Sequence, residues 1–224
     1  MKEENRGKLF HWRFLPMDAG RIILSVLPLM YRFRRYDTNG KPFHKKIVGG
    51  HILVANHSSF LDPLLVGSCF WYRRMFFLAA EAVMRNPFVA WLLRGAGCIK
   101  IDRNISDIEA IRKAVGVLKD QRCLTMFPQG GISHEDAFSQ IKGGAVLIAL
   151  QAGVPILPLY CSRKHIPWYR PTTVVIGEPL DCQSYCTGKI PSIHAIEQAS
   201  TELLRRLEDC RKTHRYLEEN HDKS

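Results

Sequence analysis

Short apolar runs that alternate with amphipathic stretches dominate the chain from about residue 46 onward. Runs of roughly four to eight apolar residues that stop at turn-forming residues are typical of buried strands, whereas apolar residues three and four apart are typical of helices. We predict strands at residues 46–55, 75–80, 99–101, 123–127, 154–160 and 174–176, and helices at 64–72, 87–94, 106–118, 145–152 and 193–216. Strands that alternate with helices predict an α/β fold with a central, mostly parallel or mixed sheet flanked by helices.

The apolar run at residues 51–55 ends abruptly in the polar, turn-prone residues 56–63, Asn-His-Ser-Ser-Phe-Leu-Asp-Pro. Ligands of α/β sheets bind at the carboxyl ends of the strands, so these side chains are candidates for chemistry. Imidazole is the side chain best suited to proton abstraction near neutral pH, which makes His57 a candidate general base. Asp62 is the candidate carboxylate that fixes the tautomer of this histidine.

The position of Asp62 before Pro63 has two interpretations in terms of helix capping. Asp62 is either the N-cap of a helix that begins with the proline, or the residue that closes a capping box begun by Ser59. In both we expect one carboxylate oxygen to serve the backbone and the other to accept a hydrogen bond from the imidazole. The alternative is that Asp62 only caps a helix and that His57 is a hydrogen-bonded loop histidine. The local pattern does not decide between these interpretations.

Residues 1–40 differ in composition from the rest of the chain and predict an N-terminal arm, followed by one domain at residues 41–224. The apolar stretch at residues 22–30 falls short of the roughly 20 residues of a membrane-spanning helix. A basic border interleaved with aromatic residues follows, and its arginines are Arg32, Arg34 and Arg35. We predict a helical arm that lies in a membrane interface. The alternative is a helix packed on the core of the domain.

Charge and cysteine content narrow the class of protein. The 32 basic and 21 acidic residues give a formal net charge of +11, which predicts an anionic partner. No motif of the usual nucleic-acid-binding kinds occurs, so nucleic acid is not the expected partner. The seven cysteines are scattered and no cleavable-signal pattern is present, which predicts reduced thiols on the cytoplasmic side. No set of zinc ligands is evident, so we expect no metal.

Four blocks of sequence resemble, in the same order, those of the glycerolipid acyltransferases, the family of lysophosphatidate acyltransferase. The first is the His-x4-Asp block at residues 56–63; the others are at residues 81–103, 127–133 and 154–159. The third block in the family is usually Phe-Pro-Glu-Gly-Thr-Arg-Ser. This chain departs from it at Gln129, Gly131 and Ile132. The resemblance covers about the middle half of the chain.

The resemblance implies that His57 and Asp62 are catalytic and that further residues bind substrate. The expected substrate-binding residues are Arg103, Gln129, Gly130, Gly131 and Lys142. The arginine of the second block holds a phosphate-bearing substrate in the family, although Arg103 beside Asp102 also suits a surface ion pair. Backbone N–H groups of residues 129–131 are candidates for binding the oxyanion or the acceptor, and the alternative is a simple turn.

The implied activity is transfer of a fatty acyl group from an acyl thioester to the hydroxyl of a lysophospholipid, with 1-acylglycerol-3-phosphate as the expected acceptor. The donor is either acyl-CoA or an acyl carrier protein, and no cofactor is expected. Other partners are membrane lipids, and the expected location is peripheral, on the cytoplasmic side of the cell membrane. Two alternatives stay open: a different lysolipid acceptor, and a non-catalytic lipid-binding module. A lipid hydrolase is disfavoured because no Gly-x-Ser-x-Gly elbow occurs.

Overall fold

The computed structural model describes residues 33–102, 107–128, 138, 143–162, 172–186 and 191–221. These residues form seven strands: β1 (Phe33–Asp37), β2 (His51–Ala55), β3 (Met75–Ala80), β4 (Cys98–Ile101), β5 (Cys123–Met126), β6 (Ile156–Cys161) and β7 (Thr172–Ile176). They also form five α-helices: α1 (Asp62–Cys69), α2 (Pro87–Gly95), α3 (Ile108–Lys119), α4 (Gly144–Ala152) and α5 (Ile193–His221). Short 3₁₀ turns lie at Glu81–Met84 and Cys182–Tyr185.

All seven strands belong to one mixed sheet in the order β1-β7-β6-β2-β5-β3-β4. Strands β6, β2, β5, β3 and β4 are parallel to one another. Strand β7 runs antiparallel to β6, and β1 pairs parallel to β7 at the edge of the sheet. Strand β2 therefore lies between β6 and β5, and the carboxyl ends of these three strands meet at one edge.

Alternation of side chains along β2 divides the core between the two faces of the sheet. Ile52 and Val54 face one cluster, which is completed by apolar residues of α3, α4 and α5. Leu53 and Ala55 face a second cluster, which includes Val66 and neighbouring residues of α1. Because a strand presents successive side chains to opposite faces, a continuous apolar run such as β2 is buried on both.

The observed architecture confirms the predicted α/β class with helices on both faces, but β1 was missed. Residues 33–37 lie in the stretch interpreted as the basic, aromatic border of the arm. In the structure they form an edge strand whose Phe33 packs on the second core cluster. Arg35 of this strand donates from Nη1 to the carbonyl of Cys69 at 3.2 Å. The predicted membrane arm is therefore left with residues 1–32, which lie outside the described residues.

Among the described residues, none of the helices combines the length and the apolar character that crossing a bilayer requires.

Gly50 allows the close approach of β2 to the end of α3, and this contact provides a test of the packing. A Cβ atom at Gly50 would lie 2.5 Å from the carbonyl oxygen of Leu118 and 3.0 Å from Cγ1 of Val154. We expect Gly50→Ala to lower the free energy of unfolding by about 1–3 kcal/mol, measured by denaturant titration. The control is Gly116→Ala in α3, where an added Cβ meets nothing within 4 Å. That change is expected to stabilise by about 0.5–1 kcal/mol, and equal effects of the two would contradict the account.

Candidate active site

The side chain of Asn56 continues the sheet where the main-chain ladder of β2 ends. Its Nδ2 donates to the carbonyl of Cys161 at 3.0 Å, and its Oδ1 accepts from the N–H of Cys161 at 2.7 Å. Asn56 is buried, and the two residues are 105 positions apart in the chain. The amide therefore takes the place of a main-chain partner at the end of β6 and fixes the point at which the chain turns into His57.

His57 and Asp62 form a hydrogen-bonded pair directly after this anchor. Nδ1 of His57 lies 3.0 Å from Oδ2 of Asp62. The side chain of Asp62 is fully buried, whereas that of His57 is 17% exposed. Because an ionised carboxylate only accepts hydrogen bonds, Nδ1 carries the hydrogen and Nε2 is the basic nitrogen. Asp62 thus selects the tautomer that a general base requires.

The turn between the two residues holds the Asp62 carboxylate with backbone donors. Oδ2 accepts hydrogen bonds from the N–H of Ser58 at 2.6 Å and of Ser59 at 2.8 Å, in addition to the imidazole. The expectation of one oxygen for the backbone and the other for the imidazole is wrong, since the same oxygen accepts all three. The three donors offset the free-energy cost of burying the charge.

The hydrogen bonds fulfil neither capping interpretation completely: of the capping box they form only the half in which Asp62 accepts from the N–H of Ser59, and Ser59 is not the N-cap. Helix α1 has Leu61 in the N-cap position and shows no side-chain cap bond there, so Asp62 is not its N-cap. Instead Asp62 reaches back to the N–H of Ser59, and the Ser59 hydroxyl accepts from the N–H of Leu61 at 3.2 Å. Pro63 lies in the first turn of α1, where its missing N–H costs no hydrogen bond.

The ring of Phe127 stacks on the imidazole of His57. The ring centroids are 4.4 Å apart and the planes are inclined by 24°. Phe127 follows β5, which is the neighbour of β2 in the sheet. The order of the strands therefore places this ring beside His57. The stack fixes the plane of the imidazole, and the π face also favours the ring when it becomes a cation.

The geometry therefore unites His57 and Asp62 as predicted, and it adds two positioning residues that the sequence did not assign. Asn56 and Phe127 belong to the quoted blocks, but their contacts depend on the neighbours of β2 in the sheet. The only signal in the sequence is that Asn56 directly follows one predicted strand and Phe127 ends another. The predicted substrate-binding residues lie outside the described residues: Arg103, Gln129, Gly130, Gly131 and Lys142. For these residues the assignment remains a prediction.

Cysteine chemistry does not compete with the histidine in this structure. All seven cysteines are free thiols. Burial raises the pKa of Cys98 to about 11 and the pKa of Cys69 to about 12. The pKa of Cys161, next to the site, is raised well above its usual range by burial first and then by the nearby Cys69 and Asp62. Since the thiolate is the nucleophilic form, these buried groups stay unreactive near neutral pH.

Among the described residues there is no group of three or more His, Cys, Asp or Glu side chains that could hold a metal ion.

Comparison with known proteins agrees with this geometry. A family model described as Acyltransferase matches residues 38–162, which include β2, the His57–Asp62 turn, β5 and β6. The 1-acyl-sn-glycerol-3-phosphate acyltransferase of Streptococcus pneumoniae is 36% identical over 110 residues, which are 49% of this chain and 40% of that protein. The lyso-ornithine lipid O-acyltransferase of Rhodobacter capsulatus is 30% identical over 111 residues, which are 49% of this chain and 36% of that protein. The chain thus spans less than half the length of these two relatives.

A solved structure has the same fold. The 1-acyl-sn-glycerophosphate acyltransferase PlsC of Thermotoga maritima superposes with a TM-score of 0.56 at 22% sequence identity. The superposition covers 87% of this chain and 83% of that one. It establishes the common α/β architecture on which the site is built.

The contact between Asn56 and Cys161 yields a prediction that does not depend on the reaction. Asn56→Ala leaves the N–H and carbonyl of Cys161 without this partner, so we expect the free energy of unfolding to fall by about 2 kcal/mol. We also expect the downfield proton NMR signal of the Nδ1 hydrogen of His57 to broaden or disappear, because the turn loses its anchor. The control is Asn86→Ala, which removes the N-cap of α2. It should cost about 1 kcal/mol and leave that signal unchanged; an unchanged signal in Asn56→Ala would contradict the positioning role.

Proposed function

The chain belongs to the acyltransferase family, and on that premise we propose that it transfers a fatty acyl group from an acyl thioester to the hydroxyl of a lysophospholipid. The observation that carries the proposal is the His57–Asp62 pair, in which Asp62 is fully buried and bound by Nδ1 of the imidazole. A histidine that only stabilises a loop has no need of a fully buried carboxylate to fix its tautomer. The pair supplies what the transfer needs, a general base whose proton-accepting nitrogen is held in a fixed orientation.

In the proposed reaction, Nε2 of His57 removes the proton of the acceptor hydroxyl as its oxygen attacks the thioester carbonyl carbon. A C–O bond forms and the carbonyl oxygen becomes an oxyanion. When the tetrahedral intermediate collapses, the C–S bond breaks, and the thiolate takes the proton back from the imidazolium. Asp62 stabilises the imidazolium between these two steps.

The donor in this proposal is already activated, since a thiolate is a good leaving group with an ordinary thiol pKa of about 8.5. A covalent enzyme intermediate is therefore unnecessary, in accord with buried, protonated cysteines around the site. The donor is acyl-CoA or an acyl carrier protein. The proposed oxyanion and acceptor contacts are the backbone N–H groups of residues 129–131.

The acceptor proposed first is 1-acylglycerol-3-phosphate, with Arg103 and Lys142 binding its phosphate. The names of relatives such as the one from Streptococcus pneumoniae support this acceptor. The second candidate is a lysolipid without that phosphate. It is favoured by Gln129 and Ile132, which stand where the family usually has a glutamate and an arginine. The lyso-ornithine lipid O-acyltransferase of Rhodobacter capsulatus, whose name gives a different acceptor, matches the same share of this chain, 49%.

We further propose that the protein works as a peripheral protein on the cytoplasmic face of the membrane. The support is the net charge of +11 and the apolar, basic composition of residues 1–32. Arg34 and Arg35 are not counted among the membrane-binding residues of the arm, because they lie in β1. The acceptor and the acylated product of the proposed reaction are membrane lipids, so attachment keeps the enzyme at its acceptor.

We expect His57→Ala to lower kcat by on the order of 10²–10⁴ with the fold intact, because the general base is lost. Asp62→Asn should have a similar effect on kcat, because an amide at this position no longer fixes the tautomer or stabilises the imidazolium. The measurement is acceptor-dependent release of free thiol from an acyl thioester. The control is His51→Ala, which removes a histidine at the opposite end of β2. Near-full turnover of the His57→Ala protein would refute the proposed mechanism, and thiol release without acceptor would indicate a hydrolase.

The choice of acceptor is tested by Ile132→Arg, assayed on lysophosphatidate against neutral lysolipids and lyso-ornithine lipid. We expect the added guanidinium to raise kcat/KM selectively for the phosphate acceptor, since it provides a charge-assisted contact that isoleucine cannot. Arg103→Ala should lower kcat/KM for the same acceptor. If the ratios stay unchanged and Arg103→Ala has no effect, the phosphate is not bound by these residues.

A further inference from the structure

Helix α2 exposes its large apolar side chains and buries its small one. Phe88 and Trp91 are 68% and 69% exposed and Leu92 is 55% exposed, whereas Ala90 is 4% exposed. Their spacing of three and four residues puts Phe88, Trp91 and Leu92 on one side of the helix. Phe88 and Trp91 also stack on each other, with centroids 6.0 Å apart. This is the reverse of the arrangement expected for a helix whose apolar side faces the core.

The charged residues within the segment that carries this face are basic. Arg85 precedes α2, Arg94 lies in its last turn, and both are exposed. Residues 82–97 contain no aspartate or glutamate. Glu81, just before this segment, forms an ion pair with Lys100 at 2.8 Å. The helix therefore combines exposed aromatic and aliphatic side chains with two arginines. Asp107 and Glu109 line a cavity together with Arg94, and Glu109 is itself paired with Lys113.

We propose that this α2 face, formed by Phe88, Trp91 and Leu92 with Arg85 and Arg94 at its border, docks on the surface of an anionic phospholipid bilayer. The proposal extends the proposed function, on which it rests for the lipid nature of the substrate. Aromatic side chains at the headgroup level and arginines near anionic lipids are the two features that hold a helix flat in an interface.

The size of the face favours a bilayer over a protein partner. The exposed apolar area of these side chains is on the order of 400 Å², about half of the roughly 800 Å² that each partner of a stable protein complex buries. A bilayer has no such requirement, because a few side chains inserted at the headgroup level are sufficient when charge adds to the attraction.

The topology of the fold places α2 on the same side of the sheet as the helix that follows the candidate active site. The connections from β2 to β3 through α1 and from β3 to β4 through α2 cross the sheet in the same direction. With the right hand that such connections adopt, α1 and α2 cover the same face of the sheet. The first turn of α1, beside Asp62, exposes Leu64, and Phe60 precedes it with most of its surface exposed. A bilayer against α2 thus lies on the same side of the sheet as α1, the helix that begins at the His57–Asp62 turn.

The first test compares vesicle binding of the full chain and of the double variant Trp91→Gln/Leu92→Gln. With vesicles of phosphatidylcholine and phosphatidylglycerol at low salt, we expect the partition coefficient to fall by about tenfold or more. The matched control is Ile193→Gln/Tyr216→Gln on α5, which removes two other exposed apolar side chains. Binding of that control should match the wild type. Equal binding by both double variants would overturn the proposal.

The second test concerns the charges. Arg85→Gln/Arg94→Gln should lower the partition coefficient on anionic vesicles by about fivefold per arginine at low salt, with a smaller effect as the salt concentration rises. The control is Arg112→Gln/Lys119→Gln, which removes two exposed charges of α3 on the other face of the sheet. A loss of the same size in both variants would mean that only net charge matters and would overturn the proposal.

The third test reports contact directly. Tryptophan fluorescence of the vesicle-bound protein is measured with lipids that carry bromine on the acyl chains, for the wild type and for Trp91→Phe. We expect a quenched component in the wild type that is missing in Trp91→Phe. If position 91 contributes no quenched component while the protein is bound, the face is covered by residues 1–32, by a second copy or by another protein, and the proposal is wrong.

Transfer between a short-chain, water-soluble thioester and a short-chain acceptor separates this inference from the proposed function. The Trp91→Gln/Leu92→Gln protein should keep wild-type turnover in that assay while its vesicle binding falls. A wild type with no transfer activity but with the predicted vesicle binding would refute the proposed function and leave the docking face supported. A variant that loses soluble turnover to the same extent as vesicle binding would refute the docking role.

Discussion

The buried carboxylate of Asp62 is the constraint on which the site depends. An ionised group without solvent exposure costs several kcal/mol unless it is paired and hydrogen-bonded. Here two backbone N–H groups and one imidazole offset that cost by donating hydrogen bonds to a single carboxylate oxygen, Oδ2. The backbone of Ser58 and Ser59 must turn inward to do so, and the side chain of His57 must present Nδ1. One electrostatic requirement thus sets the course of the chain and the tautomer of the base.

The constraint works only because the sheet holds the start of the turn in place. Asn56 is bound through both its polar atoms to Cys161 at the end of β6, and Phe127 from the end of β5 stacks on His57. These contacts come from the two strands that flank β2. The site is therefore fixed from three strands, and a shift of any one of them would move the imidazole relative to a bound substrate.

Most strands and helices could be predicted because each one buries a continuous or periodic set of apolar residues. Strand β1 could not, since three of its five residues are charged and its pairing with β7 joins segments about 140 residues apart. The His57–Asp62 pair could be anticipated because its geometry is local to one turn, although only the resemblance to the acyltransferases favoured it over a plain helix cap. The contacts of Asn56 and Phe127 were not, because they depend on the strand order β6-β2-β5, which local pattern does not specify. The single shared oxygen of Asp62 depends on backbone angles that side-chain spacing does not reveal.

The turn that buries Asp62 also explains why apolar side chains remain outside it. Drawing the polar backbone and the carboxylate inward leaves the side chains of Phe60, Leu61 and Leu64 on the outer side of the same turn, where all three are exposed. Folding alone gains nothing from this exposure, because apolar surface left in water contributes no burial free energy. Helix α2 shows the same inversion with Trp91 outside and Ala90 inside. The needs of the protein's own core explain neither exposure, and the proposed docking on a bilayer would give both sets of side chains an apolar environment.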